Sequence, residues 1–279
     1  MMTIFRYRLR AFRGQILGWG IAMALLGLLV VSFYDTVVQQ QAQFEDLLDA
    51  YPPAMSAFFG DVTAMATPAG YLSVEFFALA PIILGIFAVL AGSGLLVSDE
   101  ENGTLDLMLA HPVSRRDLFI GRLLAFVAAL AGIILLSFLG ILVAQSLSTM
   151  LNLAPLALAW PFVSLFAVLL LFGMLALALS FLLPSRRLAA STAGFLLIAS
   201  YFVTSLAKLN AALETLANLS PLNYYQSGDA IRGLNVWRLA GLFIVAVGLA
   251  GLALWRFQKR DIRVGGESGW RFRLSRRAA

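Results

Sequence analysis

The chain has no cysteine, a single histidine and only two lysines, and 13% of its 279 residues are charged. Without cysteine, disulfides, thiolate metal sites and cysteine nucleophiles are excluded. The one histidine, His111, lies beside Pro112 in a polar segment, so neither an H-E-x-x-H metal site nor an intramembrane Ser-His pair is present. Lys208 and Lys259 do not follow a glycine loop, which excludes ATP hydrolysis by the P-loop route. These absences argue against catalysis by this chain.

Apolar residues make up 61% of the sequence, and the mean hydropathy is +0.87. They form runs long enough to cross a bilayer, about 20 residues each. The runs are continuous rather than alternating, which favours helices over a membrane barrel. We therefore predict an all-α integral membrane protein. Its six predicted transmembrane helices cover residues 16–33, 74–97, 118–145, 156–183, 188–207 and 237–256.

Basic residues predict the orientation. With both termini in the cytosol, every Lys and Arg lies on the inner side except Lys208, Arg232 and Arg238, as the positive-inside rule requires. The basic tail 257–279 then adjoins the inner membrane surface, where its charges can meet anionic lipid, and this favours lipid over nucleic acid as its partner. The spans contain almost no ionisable groups, which argues against a carrier driven by an ion gradient.

Residues 4–15 are predicted to form an amphipathic elbow helix before the first span. Its apolar residues fall in one arc at 3.6 residues per turn, and three arginines gather to one side. These residues are Phe5, Leu9, Phe12, Arg6, Arg10 and Arg13. We expect such a helix to lie in the inner headgroup layer. The alternative is that the arginines act only as a topology signal.

The outer loop 34–73 carries five acidic residues and no basic one. A loop of this length with an apolar stripe of its own, over 39–51, should fold against the spans or against a second subunit. A substrate-contacting cap is the alternative for this loop.

The segment 98–117 is the only long polar stretch predicted to face the cytosol between spans. Ser98-x-x-Glu101 and Ser114-x-x-Asp117 both fit the capping box. Between them we predict a short helix that Thr104 caps and Pro112 ends. Its apolar face carries Leu105, Met108 and Leu109. The acids Asp99, Glu100, Glu101 and Asp106 would repel anionic headgroups, so a groove on a protein partner is favoured over a lipid surface.

These residues resemble a known family. Glu100-Glu101-Asn102-Gly103-Thr104-Leu105, then Leu107-Met108-Leu109 and Pro112-Val113-Ser114-Arg115, are similar to the coupling segment of ABC-2 type transporter permeases. The resemblance covers the whole chain: an elbow helix, six spans, both ends inside, and Ser220-Pro221 ahead of the last span. The run 51–60 is similar to single-length members described as multidrug or antibiotic exporters. Arg122 stands where many members carry lysine, as an interface charge.

The resemblance implies two six-span subunits, either two copies of this chain or this chain with a homologous permease. Each docks on a separate ABC ATPase that holds ATP and Mg²⁺, and this chain holds no cofactor. The implied coupling interface comprises Glu100, Glu101, Gly103, Thr104, Leu105, Met108, Leu109, Pro112 and Arg115. The implied pathway lies at the dimer axis, lined by spans one, two and five. The implied location is the plasma membrane of a bacterium or archaeon.

Span surfaces that are poor in charge favour a lipophilic or amphipathic substrate, whereas copper, sodium or glycan pathways stay open. Two other functions are also open. One is a non-transporting membrane sensor or immunity-type interaction protein that responds through its outer loop. The other is an intramembrane enzyme, which turnover by the purified chain alone would reveal.

Overall fold

The computed structural model describes residues 1–39, 67–101, 103 and 114–259. Within these ranges every regular element is a helix, and six helices are long and apolar enough to cross a membrane. They are Met2–Gln39 (span 1), Pro68–Ser93 (span 2), Arg115–Leu147 (span 3), Pro155–Leu182 (span 4), Arg186–Ala207 (span 5) and Val236–Lys259 (span 6). The predicted all-α fold with six candidate spans is confirmed. Most of the predicted outer loop (40–66) and the end of the basic tail (260–279) lie outside the described residues.

Span 1 differs from its prediction. We expected an elbow helix over 4–15 and a separate span over 16–33, but one helix runs from Met2 to Gln39. No proline interrupts this stretch, so nothing removes a backbone hydrogen bond or displaces the chain. The apolar face predicted for the elbow therefore continues into the face of the span.

Local sequence explains where the other spans begin and end. Ser114 and Ser185 cap spans 3 and 5, since their side-chain oxygens accept hydrogen bonds from the backbone N–H groups of Asp117 and Leu188. Span 4 begins at Pro155, the first helical position, where a missing N–H costs nothing. Span 2 ends earlier than predicted, at Ser93, because the chain turns at Gly94 and starts a short helix, Val97–Glu101.

Span 4 is the centre of the bundle. The most apolar part of this helix is 78% buried, against 17% for span 6. Its backbone touches span 2 directly, because a Cβ atom added at Gly92 would lie 2.2 Å from the carbonyl oxygen of Gly173. Small residues at the end of span 2 thus permit close helix packing.

Spans 1 and 3 form a second close pair. A Cβ added at Gly140 would lie 2.4 Å from the Cβ of Ala24. Near their far ends, Asp35 of span 1 joins the two helices: its carboxylate accepts hydrogen bonds from the Ser148 hydroxyl (2.5 Å) and the Thr149 backbone N–H (3.0 Å), just after span 3. Span 1 is therefore held to span 3 both along its length and at the end opposite the 98–117 segment.

The segment between spans 5 and 6 covers that same far end. Ser220 donates a hydrogen bond to the Ser200 carbonyl (3.2 Å), and its hydroxyl lies 2.8 Å from that of Thr204. Gly228 lies so close to span 2 that an added Cβ would be 2.4 Å from the Cβ of Ser73. Ser220-Pro221, noted in the resemblance, thus anchors this segment to span 5.

Candidate ATPase-coupling site

The described ends of the 98–117 segment lie at the same end of the bundle. The short helix Val97–Glu101 follows span 2 directly, and Gly103 comes next in the left-handed region at φ 69°. Ser114 and span 3 lie at the other end of the segment. Of the predicted interface, Glu100, Glu101, Gly103 and Arg115 are placed by the structure. Asn102 and the remaining interface residues, Thr104, Leu105, Met108, Leu109 and Pro112, lie outside the described residues.

An ion pair between a buried arginine and a half-buried aspartate ties the start of this segment to span 3. The Arg122 guanidinium pairs with the Asp99 carboxylate and also donates a hydrogen bond to the Leu95 carbonyl oxygen (3.0 Å). Arg122 is 3% exposed. A charge taken out of water in this way is costly unless its partner and its hydrogen bonds are present. The contact therefore locks Asp99 onto the first turns of span 3.

Arg122 thus differs from the resemblance, which implied an interface charge. Its side chain points into the subunit, because an arginine eight residues into an apolar helix needs an acid within reach. Glu100 is also turned inward and is 8% exposed. Both residues support the segment from inside the bundle.

A second contact ties the segment to span 5. The Glu101 carboxylate accepts a hydrogen bond from the backbone N–H of Arg186 (3.0 Å), the first residue of that helix. The Arg186 guanidinium donates in turn to the Ser98 hydroxyl (3.3 Å). A carboxylate at a helix N-terminus is stabilised by the helix dipole and satisfies a free N–H group. Ser98 and Glu101 do not form the predicted capping box, because Ser98 already lies inside the helix Val97–Glu101. Both residues contact Arg186 instead.

The Arg186 side chain also crosses the turn that ends span 2. A Cβ added at Gly94 would lie 2.9 Å from the Arg186 guanidinium carbon. A larger residue at this position would have to displace the end of the Arg186 side chain, so the end of span 2 and the start of span 5 are in direct contact.

At the C-terminal end of the segment, Ser114 forms the predicted cap of span 3. The Ser114 hydroxyl accepts a hydrogen bond from the Asp117 N–H (3.0 Å) and donates to the Asp117 carboxylate (2.7 Å). Asp117 lies in the first turn of span 3, where the helix dipole favours an anion. Arg115, the first residue of that helix, is half-buried beside it.

A family model described as ABC-2 family transporter protein matches residues 5–262. The chain belongs to this family. A search of curated proteins found no match. The chain is therefore a multi-pass membrane permease of an ABC transporter, a component that is not itself catalytic and that works with an ABC ATPase.

The residues predicted for the interfacial helix lie on two faces of span 1. Phe12 is buried and packs edge to face on Phe87 of span 2, with ring centroids 6.3 Å apart. Phe5 and Leu9 are half-buried, whereas the arginines of the set are exposed, namely Arg6, Arg10 and Arg13. The apolar arc covers neighbouring spans of the permease, so its aromatic anchor contacts protein. The placement of this stretch in the headgroup layer stays a prediction.

The sequence did not predict the two contacts that hold the 98–117 segment to spans 3 and 5. Asp99 and Arg122 are 23 residues apart, and Glu101 and Arg186 are 85 apart, so no local spacing rule connects them. One signal was available. Arg122 is a charge in an otherwise apolar run, and such a residue requires a partner.

Proposed function

We propose that this permease exports a lipophilic or amphipathic substrate, driven by a separate ATPase that grips the 98–117 segment. Leu105, Met108 and Leu109 would enter a groove on that ATPase, which binds ATP and Mg²⁺. Two permease subunits, identical or homologous, would enclose the pathway in the plasma membrane of a bacterium or archaeon. Both termini and the segment would face the cytosol, in agreement with the distribution of basic residues.

The observation that carries the proposal is the double attachment of this segment. Asp99 holds it to span 3 through Arg122, and Glu101 holds it to the start of span 5. A displacement of the segment by an ATPase would therefore be passed to two spans at once. An ATP-dependent change in the pathway requires contacts whose free energy differs between the ATP-bound and ATP-free states, and this segment is suited to provide them.

The test is the double variant Leu105→Asp with Leu109→Asp, assayed for copurification with the ABC ATPase partner. Two carboxylates placed in an apolar groove would be desolvated without partners, so we expect association to weaken by about 100-fold or more. Substrate-stimulated ATPase activity should fall with it. Membrane insertion and yield should stay unchanged.

The matched control is Leu216→Asp with Leu219→Asp. These leucines lie between spans 5 and 6 and are 52% and 80% exposed, so the same chemical change is made away from the segment. The control pair should copurify with the ATPase like the wild type. Unchanged association in the Leu105 and Leu109 variant would contradict the proposal, and a permease that binds no ATPase would favour the sensor function.

A further inference from the structure

Glu75 is the one acidic residue within the apolar part of span 2. It is the eighth residue of the helix, about 10 Å from its start at 1.5 Å per residue. It lies in the middle of a π-helical turn, Ser73–Phe77, inserted in the span. Single π-turns within α-helices are rare and are frequent at functional sites. The position of this carboxylate is therefore unusual in both charge and backbone.

Its neighbours fix the direction in which the turn faces. Phe76 and Phe77 are fully buried, and both pack on Phe162 of span 4, with ring centroids 6.0 and 5.1 Å away. Gly228 and Ser227 press on the same turn from the next outer segment through Ser73. With these contacts held, the exposed Glu75 points away from the core.

The face of span 2 that points away from the helix bundle is a single stripe of exposed residues. Leu79, Ile86 and Leu90 follow Glu75 at helical spacing and are 37%, 50% and 49% exposed. The rest of this helix is largely covered, since 61% of its most apolar part is buried. The stripe therefore presents one carboxylate at its far end and an apolar surface that leads toward the coupling segment.

Among the residues that the structure describes, no cation neutralises Glu75. Its carboxylate makes no hydrogen bond or ion pair with any residue that the structure describes, and the predicted outer loop contains no Lys or Arg. The basic residues on this side, Lys208, Arg232 and Arg238, are all described and do not pair with it. Carboxylates on membrane spans are costly against acyl chains and almost always face protein or a water-filled cavity. A ligand that enters such a cavity can supply the missing positive charge.

We propose that Glu75 binds the cationic group of an amphipathic substrate, whose apolar part lies along Leu79, Ile86 and Leu90. This inference rests on the proposed function, because it assigns the outward stripe of span 2 to the pathway. In a symmetric pair of copies, a residue that lies near the axis faces its own equivalent in the second copy. Two Glu75 carboxylates brought together would repel each other, and a cation between them would offset that repulsion.

The test measures equilibrium binding to the purified permease in phosphatidylcholine nanodiscs, without any ATPase. The probes are tetraphenylphosphonium, a lipophilic cation, and triphenylphosphine oxide, a neutral molecule of similar shape, with binding to empty nanodiscs subtracted. Wild-type permease should bind the cation more tightly than the neutral probe. Glu75→Gln should weaken binding of the cation by about tenfold, as expected for the loss of a charge-assisted contact. It should change the affinity for the neutral probe by no more than about twofold.

Two further variants complete the comparison. Glu75→Asp keeps the charge and should retain most of the cation binding, which also covers the case in which Glu75→Gln fails to fold. Glu214→Gln removes an exposed carboxylate between spans 5 and 6 and should bind both probes like the wild type.

Several results would overturn the assignment. The first is a wild-type permease that does not prefer the cation. The second is a Glu75→Gln variant that loses affinity for both probes equally, and the third is a Glu75→Gln variant that keeps its affinity for both. The measurement omits the ATPase, so the two proposals can fail separately. A failure of ATPase coupling would refute the proposed function without changing the measured selectivity for the cation. Cation selectivity that is lost only in Glu75→Gln would support the assignment on its own.

Discussion

Replacing Gly92 with alanine tests whether spans 2 and 4 meet through their backbones. The added Cβ would lie 2.2 Å from the Gly173 carbonyl oxygen and 3.0 Å from its Cα atom, whereas ordinary contact begins at 3.4 Å. The obstacle is a backbone, so no change of rotamer can relieve the overlap. The two helices must therefore separate by about 1 Å, enough to forfeit up to half of the dispersion attraction at the affected contacts.

The expected magnitude follows from two opposed effects. Overpacking of this kind costs about 1 to 3 kcal/mol. Alanine is preferred over glycine inside a helix by about 0.5 to 1 kcal/mol, which offsets part of the loss. We therefore expect Gly92→Ala to lower the free energy of unfolding by about 1 to 2 kcal/mol.

The measurement is unfolding of the purified permease in mixed micelles with increasing SDS. The matched control is Gly248→Ala in span 6, where an added Cβ meets nothing within 4 Å. Both variants make the same chemical change inside an apolar helix, so their difference isolates the contact with Gly173. Gly248→Ala should be as stable as the wild type or more stable. If Gly92→Ala matched Gly248→Ala, direct packing of spans 2 and 4 would be refuted.

Two more predictions concern the charged and titratable groups. Arg122→Met should lower the free energy of unfolding by about 1 to 3 kcal/mol, because it removes the charged partner of the Asp99 carboxylate, which is 18% exposed. Adding Asp99→Leu should recover most of that loss, and a double variant no more stable than the single one would contradict the ion pair. Burial raises the pKa of Tyr225, so the folded permease keeps this proton above pH 10, near which the unfolded chain releases it. Stability should therefore fall as the pH rises beyond about 10, less steeply in Tyr225→Phe, and equal pH slopes for the two proteins would count against this.

Most of the fold was predictable because its signals are local. Apolar runs predicted all six helices, Pro155 and Ser185 marked where spans 4 and 5 begin, and Ser114 formed the predicted cap on span 3. The surroundings of the predicted elbow helix were harder to predict from the sequence. Amphipathic spacing shows that Phe12 has an apolar neighbour, but it does not distinguish lipid from the ring of Phe87.

The coupling site was predictable only in part. The Ser114 cap was predictable because capping residues follow short spacing rules. Ser98 and Glu101 fit the same spacing but form no cap, because the helix already begins at Val97. The partner of Glu101 was not predictable from the sequence. The N–H group that donates a hydrogen bond to its carboxylate belongs to Arg186, 85 residues further along the chain. The apolar face of Leu105, Met108 and Leu109 stays a prediction, as does its place on an ATPase.

The sequence by itself determined that this protein crosses a membrane with helices, because the length and hydropathy of each run depend on neighbouring residues alone. It also determined several helix ends, since a serine or proline acts on the backbone beside it. Only the tertiary structure decided which faces are covered: Gly92 against Gly173, Arg122 turned inward to Asp99, and Glu75 left facing outward. Those outcomes depend on residues distant in the chain, which packing brings together and local periodicity does not encode.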